Sequence, residues 1–398
     1  VAEDHAAAAG LGAPRSEIAD DPQPAYARWR AAPEPGRTEH GSRLFARSAD
    51  VADILRRPEV FVAPIPPQLA VADALTPFGT DAAAHRRLRA TLEPLFSLAH
   101  GFEVGKAIVR VVNELMDEFA YQGEIDFATQ FSKPFAGRLL ALLLGLPDTD
   151  VPDLLALNDG VLRPHELAAE PPGSYAANSY RAKALAALYD YFGSVIEQRR
   201  TQPGEDVLSG LLAAEHDGAP LPDAAVLHIC LVLLLAAIDP MSAALDCVFL
   251  HLCRHPGDRA LVVQNPALRR SLVEELLRWE SPVMMVSRTA TLDTSVGGCP
   301  VSAEEQVVAV LGAANSDPEL VAQPDEFQPE RRINPHLAFG GGIHRCLGSH
   351  VARLALRITL REWHARIPDY ALAPGAQVGH SFGIRTTPTM PMLLGRPA

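Results

Sequence analysis

Cysteine is scarce in this chain. Its 398 residues hold five, namely Cys230, Cys247, Cys253, Cys299 and Cys346. The number is odd and no CxxC pair occurs. That excludes a disulfide framework and a structural zinc ribbon, and it fits a reducing cytoplasm. Positive charge is also short: 35 Lys and Arg stand against 48 Asp and Glu, a net charge of −13. Nucleic acids and anionic membranes need a basic surface, so neither is expected as the main partner. No apolar run reaches the length of a membrane span. The longest, Ala224 to Ile238, is interrupted by His228 and closed by Asp239-Pro240, and it reads as a buried helix. The opening VAEDHAAAAG carries acidic groups and lacks the apolar stretch of a signal peptide. With no internal repeat and no low-complexity linker, a soluble, cytoplasmic, monomeric single domain over 1–398 is expected.

Apolar residues make up 48% of the chain, ample for one core. The abundance of Ala, Pro and Arg points to a GC-rich bacterial gene. Residues 1–40 lack strong periodicity and predict a loosely packed N-terminal arm with short helices. Helical spacing appears at Ser48 to Arg57, Ala83 to Phe96, Val104 to Phe119, 133–146, 175–200 and 222–254. Pro147, Pro203 and Pro256 lie just beyond three of these, where helices commonly stop. Residues 60–80 are Pro-rich and read as loop. After Pro282 short strands are predicted at Val283 to Val286, Thr294 to Val296 and Val307 to Leu311, with Gly-Gly and Pro turns. Residues 315–338 form a polar connector. A last helix runs from near Leu347 to Ile367, followed by short strands from Tyr370. The pattern is mostly α with a minor β part.

The segment Phe339-Gly-Gly-Gly-Ile-His-Arg-Cys-Leu-Gly348 carries the most chemistry. Consecutive glycines permit backbone shapes denied to other residues and let a flat ligand come close. Cys346 sits just before a helix, where backbone N–H groups favour a thiolate. Such a thiolate in a partly apolar pocket suits iron ligation. A buried structural cysteine and a zinc cluster of His344, Cys346 and His350 are the other readings. A dinucleotide loop is not, because the glycines lack the GxGxxG spacing after a strand.

The pattern FxxGxxxCxG, filled by Phe339, Gly342, Cys346 and Gly348, resembles the haem-binding signature of the cytochrome P450 family. Further features in the family's order support the resemblance over essentially the whole chain. Glu275-Leu-Leu-Arg278 matches ExxR, whose i and i+3 side chains share a helix face. Phe327-Gln-Pro-Glu-Arg331 resembles the segment whose Arg completes a structural Glu–Arg–Arg cluster. His85 and Arg89 match HxxxR, and Arg288 and His344 match the remaining propionate partners. Cationic and neutral donors are what two carboxylates need. The segments Arg361 to Tyr370 and Ala373 to Val378 look like the bacterial camphor hydroxylase. The resemblance implies the triangular P450 fold with haem b between an oxygen-side helix and the cysteine loop. It also implies Cys346 as axial iron ligand, and NAD(P)H electrons delivered through a ferredoxin reductase and an iron–sulfur ferredoxin. Arg345, Arg353 and Arg357 are the candidate docking residues.

One departure stands out. Family members usually carry an acid followed by Thr in the middle of the oxygen-side helix. Here Asp239 aligns with the acid and Pro240 replaces the alcohol. The pair normally delivers protons for O–O cleavage. Proline has no N–H, so the Ala236 carbonyl loses its partner and the helix is expected to kink and open there. Ser242 lies roughly 200° further round at ~3.6 residues per turn and is a poor substitute. Asp239 with ordered water, a substrate hydroxyl, or peroxide are the alternatives for proton delivery. By resemblance the substrate pocket draws on Phe61, Val62, Leu234, Ala237, Val283, Met284 and Phe382, which suits a small or medium apolar substrate, terpenoid-like or aromatic. Insertion of one oxygen atom of O2 is the leading function. A peroxide-dependent peroxygenase and a non-catalytic haem or ligand-binding protein are the rivals.

Overall fold

A computed structural model describes residues 14–38, 41–64, 81–96 and 101–395, the side chains of 101–103 excepted. Its contacts divide the chain into two compact units. The first comprises Val1–Pro64, Val112–Ser132 and Pro240–Ala398; the second comprises Ile65–Val111 and Lys133–Asp239. Helices predominate in both, and the strands are short.

In the first unit a five-stranded sheet runs in the order Gly36–Arg37, Arg43–Phe45, Gln306–Ala309, Val286–Ala290, Phe61–Val62. Only the pairing of Gln306–Ala309 with Arg43–Phe45 is parallel. The helix Ser48–Arg56 turns Val51, Ile54 and Leu55 toward this sheet's core, an apolar stripe at helical spacing. The hairpin Thr294–Val296 to Cys299–Val301 closes on Gly297 and Gly298, both at positive φ, as a two-residue turn of the tight type requires. A second sheet pairs Tyr370–Leu372, Pro391–Leu394 and Glu124–Asp126, all antiparallel. Few as the aromatics are, five of them gather around the fully buried Trp363. Phe119, Phe127, Phe131, Phe249 and Tyr370 lie with ring centroids 5.0–6.0 Å from it.

Two expectations fail here. The N-terminal arm is not loose where it is described: Arg15–Asp20 and Gln23–Ala31 are helices that bury Ile18, Ala25, Tyr26 and Trp29 against Leu44, Met284 and Val310. Arg30 ties the second helix down by donating to the Ala313 carbonyl at 2.9 Å. The strand expected at Val283 to Val286 lies further on, at Val286–Ala290, and Val283 makes only an isolated bridge to Ile384. The apolar run there reflects burial, whereas the strand itself mixes polar and apolar side chains.

The second unit is built on the helices Ala82–Leu92, Lys133–Leu144, Val151–Leu162, Tyr175–Thr201 and Val207–Ala213. Val151–Leu162 packs along Tyr175–Thr201. Asp81 caps Ala82–Leu92 by accepting from the Ala83 and Ala84 N–H groups at 2.8 and 2.9 Å.

The helix Asp223–Arg254 contributes to both units. Among the described residues it is the one helix long and apolar enough to cross a membrane. Its residues from Met241 to Leu252 are all buried within the protein, as befits a helix apolar on every face.

Candidate active site

The cysteine loop rests on two glycines that nothing else replaces. Gly340 and Gly342 have φ of +68° and +64°, and a Cβ on Gly342 would stand 1.9 Å from the Leu55 carbonyl oxygen. Gly341 is extended, with φ −154°. A short 3-10 turn, Gly342–His344, leads to Cys346, whose N–H donates to the Phe339 carbonyl at 2.9 Å. The following helix, Ser349–Arg366, begins after Gly348. Cys346 is exposed, while Cys230 and Cys247 are buried and their thiols are pushed up to about 12. Phe339 is half-buried beneath the Arg353 guanidinium, 4.3 Å from the ring centroid. His344 is half-buried.

Behind the loop, Glu275 lies fully buried on the helix Arg269–Glu280. Arg278 donates Nε and Nη2 to its two oxygens, each at 2.8 Å. Arg331 Nε and Asn334 Nδ2 donate to Oε2 at 3.2 and 2.9 Å, and the Gln328 N–H to Oε1 at 2.9 Å. Burial opposes ionisation of Glu275, but these donors outweigh it and hold its carboxyl below the usual range. Both arginines spend their remaining donors on main chain: Arg278 on Asn315 and Pro324, Arg331 on Ala322 and Gln323. The connector is thus pinned by its carbonyls. The sequence signals the three charged members, whereas Asn334 and the Gln328 N–H carry no motif of their own.

Arg288 sits on the strand Val286–Ala290 with 7% of its surface exposed. Its guanidinium donates to the Ser287 carbonyl at 2.7 Å, and no carboxylate among the described residues faces it. Burial alone lowers it to about 10. A buried guanidinium without an anion is costly, and a haem carboxylate is the kind of group that relieves it. His85 and Arg89 belong to the second unit and stand one helical turn apart on Ala82–Leu92. His85 is buried, and Arg89 Nε pairs with Glu93 at 2.9 Å.

Asp239 is 5% exposed and held by a partner that no sequence motif announces. Arg163 grips both its oxygens, Nη1 to Oδ2 at 2.6 Å and Nη2 to Oδ1 at 3.1 Å, and Asn158 donates to Oδ1 at 3.3 Å. Arg163 also pairs with Asp159, which Lys133 holds in turn. The helix continues through Pro240, which supplies no N–H to the Ala236 carbonyl. Ala236 is the single exposed residue between Ala225 and Arg254. Ser242 is buried.

Of the expected pocket side chains, Phe61, Leu234 and Met284 have no exposed surface. Phe61 and Met284 belong to two apolar clusters, so both serve packing. Val62, Ala237, Val283 and Phe382 are half-buried. Most of the Pro-rich loop, 65–80, lies outside the described residues.

A thiol displayed by a glycine-shaped loop, backed by a buried carboxylate–guanidinium cluster and a lone buried arginine, defines a haem-thiolate site. The family model described as Cytochrome P450 matches residues 175–362. The chain is 31% identical over 290 residues to the biotin biosynthesis cytochrome P450 of Bacillus subtilis (strain 168), covering 73% of this chain and 72% of that protein. It is 29% identical over 357 residues to the steroid C26-monooxygenase of Mycolicibacterium smegmatis, covering 88% and 87%. Among solved structures, P450BioI in complex with hexadec-9Z-enoic acid ligated acyl carrier protein superposes with a TM-score of 0.86 at 27% identity, over 96% of this chain and 100% of that one. The chain belongs to the cytochrome P450 family. It is an oxidoreductase of the P450 monooxygenase type whose cofactor is haem b, bound through a cysteine thiolate. The exposed Cys346 and the unneutralised Arg288 fit that cofactor.

Proposed function

We propose that this chain hydroxylates a small or medium apolar substrate, terpenoid-like or aromatic, with electrons from NAD(P)H through a ferredoxin reductase and ferredoxin. Both units work as one catalytic domain, in the cytoplasm and as a monomer. Bound haem supplies the activation of O2 and the redox chemistry. His85, Arg89, Arg288 and His344 serve its carboxylates, Cys346 its iron, and the Glu275 cluster holds the loop that presents the thiolate.

Proton delivery is where this chain differs, and the observation that carries the reading is the Asp239–Pro240 pair. Arg163 holds Asp239 in place through a two-pronged contact. Pro240 frees the Ala236 carbonyl, which accepts from water in place of the absent Thr hydroxyl. In the proposed relay, protons pass from water to Asp239 and onward through water held at that carbonyl.

Product formed per NADH consumed, with a ferredoxin pair, tests this. Wild type is expected to couple measurably, and Asp239→Asn to lose most of that coupling. Two variants separate the parts of Pro240: Pro240→Ala restores the N–H and takes the carbonyl away from water, so coupling falls; Pro240→Thr returns a hydroxyl, so coupling recovers. The missing Thr also favours a peroxide-driven peroxygenase. Near-complete uncoupling with every substrate, alongside brisk turnover on peroxide, would select that reading.

A further inference from the structure

The end of the helix Asp223–Arg254 carries a cluster that the haem site does not use. His251 lies in its last turn, His255 four residues on, and Asp258 in the first turn of the next helix, Pro256–Gln264. Residues at i and i+4 share a helix face. The His255 N–H continues the helical ladder to the His251 carbonyl at 2.8 Å, so that spacing holds here. One ligand atom from each of the three side chains lies within 4.8 Å of the others.

The hydrogen bonds around the two rings decide which nitrogens are available. His255 Nδ1 lies 3.0 Å from the His251 carbonyl, which only accepts, so Nδ1 is the donor and Nε2 keeps its lone pair. His251 Nδ1 lies 3.2 Å from Glu280 Oε1. Glu280 is itself fixed, because Arg385 Nη1 donates to its Oε2 at 2.8 Å. With Glu280 at Nδ1 and Asp258 Oδ2 3.0 Å from Nε2, both ring nitrogens donate in the metal-free protein, and an ion takes the Nε2 position by displacing its proton to solvent. A carbonyl or carboxylate behind each Nδ1 is the arrangement that orients metal-bound imidazoles and raises their basicity. Phe327 packs on the His251 ring at 4.3 Å and restricts its rotation. The site is half open: His251 is buried, Asp258 half-buried and His255 exposed, which gives an ion a route in.

We propose that His251, His255 and Asp258 form a binding site for a divalent transition-metal ion, zinc by its donor set, with Glu280 and the His251 carbonyl as outer partners. Two imidazoles and one carboxylate suit tetrahedral Zn2+ with solvent at the fourth position. The ion links the end of the long helix to the start of the next. Through Glu280, the last residue of the helix Arg269–Glu280, it also braces the element that carries the Glu275 cluster. Its role is a staple, and it stands apart from the monooxygenase reading.

The test uses the haem-loaded protein stripped of loose metal and titrated with Zn2+ at neutral and at mildly alkaline pH, since binding must displace the proton between His251 Nε2 and Asp258. One equivalent per chain is expected, with X-ray absorption at the zinc edge showing two imidazole nitrogens and a carboxylate oxygen at about 2.0–2.2 Å. His255→Ala removes an exposed ligand without disturbing the core, and Asp258→Asn keeps the shape of its side chain. Each is expected to weaken binding by more than the ~10–100-fold typical of an outer-shell change, with the Soret band unchanged. Zn2+ is also expected to raise the melting temperature of wild type and not of His255→Ala. Equal zinc affinity in wild type and both variants, or a bound ion lacking two imidazole ligands, would overturn the proposal.

Discussion

Glu275 receives five hydrogen bonds and has no surface exposed to water. A buried charge in that position stabilises only while all its partners remain. Glu275→Ala leaves two buried guanidinium groups facing each other and is expected to cost about 3–5 kcal/mol, read in urea unfolding of the apoprotein. If the cluster holds the loop that presents Cys346, as proposed, the carbon monoxide difference band of the reduced protein should fall with it. Arg331→Lys keeps the charge but cannot reach two carbonyls and a carboxylate at once, so a partial loss is expected.

Arg288 makes the opposite case. Among the described residues its buried guanidinium meets one carbonyl and no carboxylate. Arg288→Gln is therefore expected to leave the apoprotein as stable as wild type or more so, while haem dissociates faster, as measured by transfer to an acceptor apoprotein. A loss of apoprotein stability equal to the loss of haem affinity would show that Arg288 is a packing residue.

Within the long helix, Asp246 is buried, accepts from Ser132 Oγ at 2.5 Å, and is pushed by burial up to about 8, against the hydrogen bonds from Ser132 and the Thr387 main chain. Its pKa is raised on folding, so the folded protein binds one more proton than the unfolded chain between about pH 4 and pH 8. This group's contribution therefore falls as pH rises through that window, with a slope approaching about 1.4 kcal/mol per unit. Asp246→Asn keeps the acceptor for Ser132 and removes the titration. Melting temperatures from pH 5 to pH 8 should flatten in the variant, and it should exceed wild type at pH 8. A parallel pair of curves would refute the assignment.

The same helix shows what its sequence can and cannot reveal. An apolar run closed by Asp-Pro announces a buried helix, and the observed limits Asp223–Arg254 match the expected 222–254 within a residue. Pro240 does not end the helix, because core packing holds it on both sides of the proline. The short N-terminal helices were expected but their packing was not legible: they bury side chains against Leu44, Met284 and Val310 by tertiary contact, and no strong period marks that face. Motif side chains such as Glu275 and Arg278 were legible because three residues on a helix is a fixed distance. Arg163, 76 positions from Asp239, has no such spacing to betray it. Neither has Glu280, 29 positions from His251.

At the scale of the whole molecule, a net charge of −13 works against the partner this enzyme is proposed to use. An acidic ferredoxin feels the field of the entire protein at long range and a local patch only on close approach. The three candidate arginines are not equivalent. Arg345 is exposed, whereas Arg353 is half-buried and clamped in a two-pronged pair with Glu274, at 2.7 and 2.9 Å. That pair and His336 hold Glu274 down to about 2, although burial opposes its ionisation. Arg357 is half-buried one turn further on. Docking charge therefore rests mainly on Arg345. Screening acts over about 10 Å at 0.1 M salt, so it removes long-range repulsion before it erases a direct contact. The ferredoxin KM is expected to fall as salt rises toward about 0.1 M and to climb beyond it, giving a minimum. Arg345→Glu should abolish the climbing limb and raise KM near the minimum by about threefold to tenfold, the size of one or two exposed charge pairs. Arg353→Glu should act elsewhere, lowering thermal stability by setting a second acid against Glu274. A KM that climbs from the lowest salt, or an Arg345→Glu profile that overlays wild type, would place the docking surface away from the cysteine loop.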